Sequence, residues 1–292
     1  MDINQTKLWT AIITPFTKTG KEIDYTSLEK VCRLQSEAGC GILVAGSTGE
    51  GLSLNRMERE NVLKFVLNLK LPVPVMAGVP SYQFEEALDW MNFCSELPNL
   101  SAHLMTTPMY TKPGIKGQSE WFSALLQKSK VPAMLYNIPS RTGVKLHSET
   151  LKNIAKEKNL WAIKDSSGQV ESIVDFMETG AKVQIYCGDD YLMPAFAAEG
   201  ACGLVSVLSN VWPKQTLQYV NHCLSGKNLK NKIWWRATKA LFSASNPIPA
   251  KALLQHLNII ESAQVRLPLF SGDLQSMEPL IKAHGEMQDF HL

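Results

Sequence analysis

The stretch WAIKDSSG, residues 161–168, decides how the rest of this chain is interpreted. It predicts a short apolar strand that ends on Lys164 and turns at once through Asp165 and two serines into Gly168. Lysine is rarely buried, and removal from water disfavours its charged form. A neutral amine can attack a carbonyl carbon and form a Schiff base, so Lys164 is a candidate nucleophile. On this stretch alone, the simpler alternative is a solvated lysine at a strand end.

The composition is ordinary for a globular protein. The chain has 292 residues, of which 45% are hydrophobic and 19% are charged, and its net charge of +2 is dispersed. This length suits one large domain or two small ones, and the charge does not favour nucleic acid or an anionic membrane as a partner. The first residues lack a signal-peptide pattern, and no apolar run approaches the roughly 18 residues that span a bilayer. We therefore expect a cytoplasmic protein with no nucleic-acid or membrane partner.

Cysteine and histidine usage favours neither disulfides nor metals. The six cysteines form no C-x-x-C pair, so we expect small core residues of a reduced protein. Cys187 and Cys202 stand in apolar context, which favours packing over a role as a thiol nucleophile. The six histidines form no H-x-x-x-H or H-E-x-x-H pattern, and we predict no metal site.

Short apolar runs alternate with stretches of helical period along most of the chain. The runs lie at 8–13, 41–45, 73–77, 102–105, 133–136, 161–164, 183–187 and 203–207. Helical patterns follow the first five runs at 25–38, 56–69, 84–94, around Trp121 and at 147–156. Eight βα units in about 220 residues predict a closed (β/α)8 TIM barrel, with an open doubly wound sheet as the alternative.

Residues from about 225 onward no longer alternate with strands. Helical patterns at 234–242, 250–257 and 276–284 are separated by proline-containing breaks. We expect a barrel over 1–224 that carries the active site, and a C-terminal helical appendage over 225–292. The role expected for that appendage is packing on the barrel or on another subunit.

In such a barrel the carboxyl ends of the strands meet at one face, where the loops carry the chemistry. The second strand ends in the turn GSTGEG, residues 46–51. Its glycines allow a tight turn, and its hydroxyl and backbone N–H groups suit an anion. The spacing matches neither a Walker A loop nor a dinucleotide-binding loop. A small carboxylate fits better than a phosphate chain, and an ordinary turn rich in Gly and Ser is the alternative.

Other strand ends contribute further polar groups to the same face. Tyr136 ends the fifth strand, and Arg141 follows on its loop as a planar fork that can hold a carboxylate. Taken singly, Tyr136 would suit the core and Arg141 the surface. Tyr110 follows the fourth strand, Gly188 the seventh, and Val205 lies on the eighth. Together with a nucleophilic lysine, these groups suit carbon–carbon bond chemistry on a 2-oxo acid.

Four motifs in order carry a family resemblance that extends from Leu8 to about Asn210. They are Gly46-Ser47-Thr48-Gly49-Glu50, Tyr110 after Thr-Pro, Tyr136-Asn137-x-Pro139 and Ile163-Lys164-Asp165. In these motifs the chain resembles the pyruvate-dependent class I aldolases of the dihydrodipicolinate synthase and N-acetylneuraminate lyase group. Each motif is weak alone, but the four in this order and spacing are specific.

The resemblance implies a role for each of these side chains. Lys164 would form a Schiff base with pyruvate, and Ser47 and Thr48 would hold the pyruvate carboxylate. Tyr136, aided by the Ser47 hydroxyl, would shuttle protons. Tyr110 would complete the relay by reaching into the site of a neighbouring subunit. The resemblance also implies a homotetramer built as a dimer of dimers, and we expect no cofactor.

The choice of second substrate depends on Arg141. The resemblance implies that Gly188 and Val205 line the pocket, and that Arg141 binds the carboxylate of L-aspartate 4-semialdehyde in the synthase branch. The lyase branch usually lacks this arginine, and its acidic pair differs from Gly188-Asp189-Asp190-Tyr191. We therefore expect condensation of pyruvate with aspartate semialdehyde, a step of diaminopimelate and lysine biosynthesis. The alternative is an N-acetylneuraminate lyase or a related 2-oxo-acid aldolase.

The chain also departs from the family pattern. Synthases commonly carry two threonines where this chain has Ser47-Thr48, and serine lacks the methyl group that restricts χ1. At the lysine-feedback site of some synthases, Glu86 is present but Tyr82 and Met109 replace the usual residues, so inhibition by lysine is not implied. Two other function classes are a non-catalytic scaffold barrel and a nucleotide or phosphosugar binder that uses the turn at Gly46.

Overall fold

The chain folds into a closed barrel of eight parallel strands in sequence order. The structure is a computed structural model that describes residues 2–80, 82–227 and 232–290. The strands are β1 (Leu8–Ala11), β2 (Gly41–Val44), β3 (Val75–Val79), β4 (Leu100–Thr106), β5 (Ala133–Asn137), β6 (Leu160–Asp165), β7 (Gln184–Cys187) and β8 (Gly203–Ser206). β1 pairs with both β2 and β8, which closes the barrel. The predicted (β/α)8 barrel is confirmed.

Helices follow the strands and continue beyond the barrel. In the described ranges they are α1 (Tyr25–Glu37), α2 (Arg56–Asn68), α3 (Phe84–Ser95), α4 (Ile115–Lys128), α5 (Pro139–Thr142), α6 (Ser148–Ile154), α7 (Glu171–Met177), α8 (Met193–Ala198), α9 (Pro213–Leu224), α10 (Lys232–Leu241), α11 (Ile248–His256) and α12 (Glu278–Gln288). Asp24 caps the start of α1, because its carboxylate accepts the Ser27 N–H at 3.0 Å. No helix in these ranges is long and apolar enough to cross a membrane.

The barrel strands are apolar because both of their faces are covered. Alternate residues of each strand point into the barrel or outward against the helices. On β6, Ala162 belongs to the inner layer of side chains and Ile163 to the outer one. The next residue, Lys164, therefore points inward, where it pairs in register with Tyr136 of β5 and Tyr186 of β7. The strand alternation thus places a lysine inside the barrel.

The C-terminal helices and their connecting segments pack on the barrel near the turn after β2. Lys251 of α11 forms a fully buried ion pair with Glu50 of that turn, and its ammonium also donates to the Gln264 carbonyl at 2.9 Å. Arg266 forms a second ion pair with Glu58 at 2.7 Å, and its backbone N–H donates to Glu50 at 2.8 Å. These contacts tie the C-terminal region to the loop that carries the predicted hydroxyl groups.

Candidate active site

The candidate nucleophile is enclosed by the barrel. Only 5% of Lys164 is exposed, and its Nζ atom lies 4.1 Å from the centroid of the Tyr136 ring. Tyr136 is itself buried, at the neighbouring position of β5. The structure therefore brings together the two side chains that the sequence singled out most strongly. The amine therefore lies over the face of an aromatic ring, in a site shielded from water.

The wall beside the lysine requires a glycine. The Gly188 N–H donates to the Asp165 carbonyl at 2.7 Å, which holds the end of β7 against the end of β6. A Cβ atom at position 188 would lie 2.0 Å from Ser166 Oγ, 2.9 Å from Lys164 Cε and 3.1 Å from the Asp165 carbonyl oxygen. Since real Cβ atoms essentially never approach within 3.0 Å, only glycine leaves both Ser166 and Lys164 in place. Val205 lies on β8 as a fully buried member of the inner layer.

The turn after β2 has a strained, tightly held backbone. Ala45 and Glu50 have φ values of 56° and 51°, a left-handed region that is uncommon for non-glycine residues. The Thr14 hydroxyl donates to the Gly49 carbonyl at 2.7 Å, and a Cβ at Gly49 would lie 2.9 Å from the Ile12 carbonyl oxygen. Such strain persists only where surrounding contacts hold it, and it is common at functional sites.

The two hydroxyl residues of this turn have different surroundings. Ser47 is half-buried and lines a cavity that Tyr136 also lines. Thr48 is 2% exposed, and its hydroxyl oxygen accepts a hydrogen bond from Asn246 Nδ2 at 2.8 Å. Sequence reasoning did not include Asn246, because no local pattern relates it to a residue 198 positions earlier.

A cavity of about 340 Å³ opens beside Ser47, but Lys164, Thr48, Gly188 and Val205 are not among its lining residues. Ser47, Tyr136 and Arg141 line it, together with Arg59. Its volume lies at the small end of the range of about 300–1,000 Å³ for small-molecule sites. Arg141 lies on the short helix α5, which sequence periodicity did not predict, and its side chain is exposed at the cavity mouth. The cavity thus places a guanidinium at its mouth and a serine hydroxyl and a phenol along its wall.

Tyr110 does not join this group within the chain. Its side chain is 92% exposed, and its backbone is left-handed with a φ of 67°. The Tyr110 N–H donates to the Thr142 carbonyl at 3.0 Å, which ties this loop to the end of α5. Tyr110 is not among the residues that line the cavity with Tyr136.

Two adjacent carboxyls lie near the lysine, and sequence reasoning gave neither a role. Burial raises the pKa of Asp189 to about 6, although the positive charge of Lys164 opposes that shift. Burial also raises the pKa of Asp190 to about 6, although hydrogen bonds from the Ser206 hydroxyl and the Val207 N–H to its carboxylate lower it in part. Asp190 thereby holds the turn after β8 to the end of β7.

Neither metal ligation nor thiol chemistry is supported in the described ranges. The described residues contain no group of three or more His, Cys, Asp or Glu side chains that could hold a metal ion. His291 lies outside these residues. The six cysteines are unpaired. Burial raises the pKa of the Cys202 thiol to about 11, and Cys187 is fully buried, so both favour the unreactive thiol form.

A closed (β/α)8 barrel with an enclosed lysine beside a phenol at its strand ends defines a class I aldolase-type enzyme. The model of the dihydrodipicolinate synthetase family matches residues 4–283, and the chain belongs to this family.

Relatives and solved structures of this family match nearly the whole chain. The chain is 48% identical to the 4-hydroxy-tetrahydrodipicolinate synthase of Wolbachia pipientis subsp. Culex pipiens (strain wPip), over 97% of this chain and 96% of that relative. It is 43% identical to the corresponding synthase of Francisella tularensis subsp. novicida, over 99% and 98%. The crystal structure of dihydrodipicolinate synthase from Acinetobacter baumannii complexed with pyruvate has a TM-score of 0.90 at 30% identity and covers 98% of this chain and 100% of that one.

Proposed function

We propose that the protein acts as a 4-hydroxy-tetrahydrodipicolinate synthase, which condenses pyruvate with L-aspartate 4-semialdehyde on the route to diaminopimelate and lysine. The observation that carries this proposal is the enclosed Lys164 amine, 4.1 Å from the centre of the Tyr136 ring. The family membership and the relatives that bear this enzyme's name support the same activity.

In the proposed reaction, the Lys164 amine attacks the keto carbon of pyruvate, and the resulting carbinolamine loses water to form an imine. Loss of a proton from the methyl carbon then gives an enamine. That carbon attacks the aldehyde carbon of the second substrate, forming a carbon–carbon bond while the aldehyde oxygen takes up a proton. The substrate's own amine finally displaces the lysine. We assign the proton transfers in these steps to Tyr136, which is buried beside the amine.

Two carboxylates need separate holders in this reaction. We assign the pyruvate carboxylate to the Ser47 and Thr48 hydroxyls, and the carboxylate of aspartate semialdehyde to Arg141 at the cavity mouth. We assign Gly188 and Val205 to the wall around Lys164, since Gly188 lies next to Lys164 Cε and Val205 belongs to the inner layer of the barrel.

A direct comparison of second substrates tests the proposal. With pyruvate present, we expect turnover of aspartate semialdehyde and none of N-acetylneuraminate in the cleavage direction. Arg141→Lys, which keeps the charge but loses the planar fork, should raise KM for aspartate semialdehyde more than KM for pyruvate. Turnover of N-acetylneuraminate with none of aspartate semialdehyde would replace the synthase by the lyase alternative.

We also propose that the working enzyme is a cytoplasmic homotetramer, a dimer of dimers, that needs no cofactor. Tyr110 supports this assembly, because a phenol that is 92% exposed can reach a neighbouring subunit. We assign it to the partner's proton relay, and residues 225–292 to a helical unit packed on a barrel of residues 1–224. Measurement of mass in solution would test the assembly, and a monomer with full turnover would contradict it.

We further propose that lysine does not inhibit the enzyme. The Glu86 carboxylate is already paired with the Arg59 guanidinium, and Arg59 is buried and lines the cavity. An incoming ammonium group would have to displace this ion pair. Turnover measured with and without lysine tests this point, and saturable inhibition by lysine would contradict it.

A further inference from the structure

Asn246 lies between α10 and α11 and contacts the hydroxyl turn after β2. Its Nδ2 atom donates a hydrogen bond to Thr48 Oγ1 at 2.8 Å. Both side chains are buried, with exposures of 8% for Asn246 and 2% for Thr48. The proposed reaction, as assigned above, makes no use of Asn246.

The direction of this hydrogen bond matters for Thr48. A hydroxyl group has one hydrogen to donate and two lone pairs to accept with. The Asn246 N–H group occupies a lone pair and leaves the hydrogen of the Thr48 hydroxyl free. In the part of the chain that the structure describes, no acceptor is found for that hydrogen. A carboxylate carries acceptors only, so it is the partner that this hydroxyl suits.

The amide of Asn246 is not fully used by the protein. Its Oδ1 atom is buried and has no hydrogen-bond partner among the described residues. Buried polar atoms without a partner are rare and costly, so this arrangement requires support from the surrounding structure. That support is close by, because Lys251, five residues later, pairs with Glu50, two residues after Thr48. The C-terminal segment therefore meets the turn at two points.

We propose that Asn246 is a positioning residue for the pyruvate carboxylate. It orients the Thr48 hydroxyl so that the hydrogen points to the carboxylate and not to the protein. This inference rests on the proposed function, since it takes Thr48 as a carboxylate holder. It gives the C-terminal region, which the sequence assigned to packing, a defined part in substrate binding.

The test measures how imine formation depends on pyruvate concentration. Pyruvate with borohydride is used to trap the imine on Lys164, and the half-saturating pyruvate concentration is compared between variants. Asn246→Ala should raise it roughly tenfold, the effect of one hydrogen bond near a charged group. Asn246→Asp should raise it further, because its carboxylate accepts the Thr48 hydrogen and repels the substrate anion. KM for aspartate semialdehyde should stay within twofold of wild type, roughly the resolution of such comparisons.

A second background separates positioning from a general structural effect. In Thr48→Val, which lacks the hydroxyl, Asn246→Ala should change the half-saturating concentration no further. The matched control is Asn159→Ala. Asn159 precedes β6, at the opposite end of the barrel, and its side-chain amide also makes a hydrogen bond, to the Ser129 carbonyl at 2.6 Å. Its half-saturating concentration should equal that of wild type. Asn246→Asp keeps the shape of asparagine and serves if Asn246→Ala does not fold.

The outcomes distinguish this inference from the proposed function. If wild type forms no adduct on Lys164, the proposed function fails and the inference falls with it. If wild type forms the adduct but the Asn246 variants saturate at the wild-type concentration, only the inference is overturned. Equal effects of Asn246→Ala in the wild-type and Thr48→Val backgrounds would also overturn it, because Asn246 would then not act through the hydroxyl.

Discussion

Gly188→Ala would insert one methyl group against the side chains of Ser166 and Lys164. The added Cβ would lie 2.0 Å from Ser166 Oγ, 2.9 Å from Lys164 Cε and 3.1 Å from the Asp165 carbonyl oxygen. Unstrained carbon atoms pack at about 3.5–4.0 Å, so the lysine side chain must move by roughly 0.6–1 Å. The Asp165 oxygen cannot give way easily, because it accepts the Gly188 N–H at 2.7 Å. The Ser166 and Lys164 side chains therefore have to absorb most of the displacement.

This displacement should affect catalysis far more than folding. A misplacement of about 1 Å at a reacting group can cost on the order of 100-fold in rate. Overpacking of a core by one methyl group costs about 1–3 kcal/mol of unfolding free energy. We therefore expect kcat/KM to fall by roughly 100-fold while the variant remains folded at room temperature.

The assay combines turnover of pyruvate and aspartate semialdehyde with urea unfolding of the same preparation. Gly285→Ala in α12 is the matched control, because a Cβ there meets no atom within 4 Å. It should keep full turnover and gain about 0.5–1 kcal/mol from the better helix former. Turnover of Gly188→Ala within about threefold of wild type would refute the argument, since that is well short of the 100-fold expected for a displaced lysine.

Three further predictions follow from other parts of the structure. Lys251→Met should lower the unfolding free energy by about 3–5 kcal/mol, because it leaves the Glu50 carboxylate buried without its partner; a loss under about 1 kcal/mol in urea unfolding would contradict this. Tyr110→Phe should lower turnover far more than stability, because the exposed phenol packs on little of its own chain; equal turnover would remove it from the relay. Burial raises the pKa of Asp190 from 3.8 to about 6, so in that range the folded protein holds a proton that the unfolded chain has lost. The stability due to this group therefore falls as pH rises from 3.8 to about 6, and Asp190→Asn should gain unfolding free energy relative to wild type across that range. If the unfolding free energies of wild type and Asp190→Asn change equally with pH over this range, the prediction is contradicted.

The barrel and the position of its lysine could be predicted because both depend on local patterns. Eight apolar runs that alternate with helical patterns indicate the strands. Because side chains alternate along a strand, Lys164 points to the same side as Ala162, which is the inside of the barrel. The four-residue helix α5 could not be predicted, because it is barely longer than one turn and has no periodicity of its own.

The contacts of the C-terminal region could not be predicted for a different reason. Asn246 meets Thr48 across 198 positions and Lys251 meets Glu50 across 201, and no spacing in one sequence encodes such pairs. Lysine side chains are also almost always expected at the surface, yet the Lys251 side chain has no exposed area. Its pairing with Glu50 can be identified only from the fold, which packs the turn after β2 against α11.

The chemistry proposed for Lys164 is tested most directly by trapping the imine. The protein is incubated with pyruvate and borohydride, digested, and each lysine-containing peptide is weighed by mass spectrometry. We expect one reduced pyruvate adduct per chain, on Lys164, and no adduct in Lys164→Ala. An unmodified Lys164, or an adduct carried by another lysine, would contradict the assignment of this residue as the Schiff-base nucleophile.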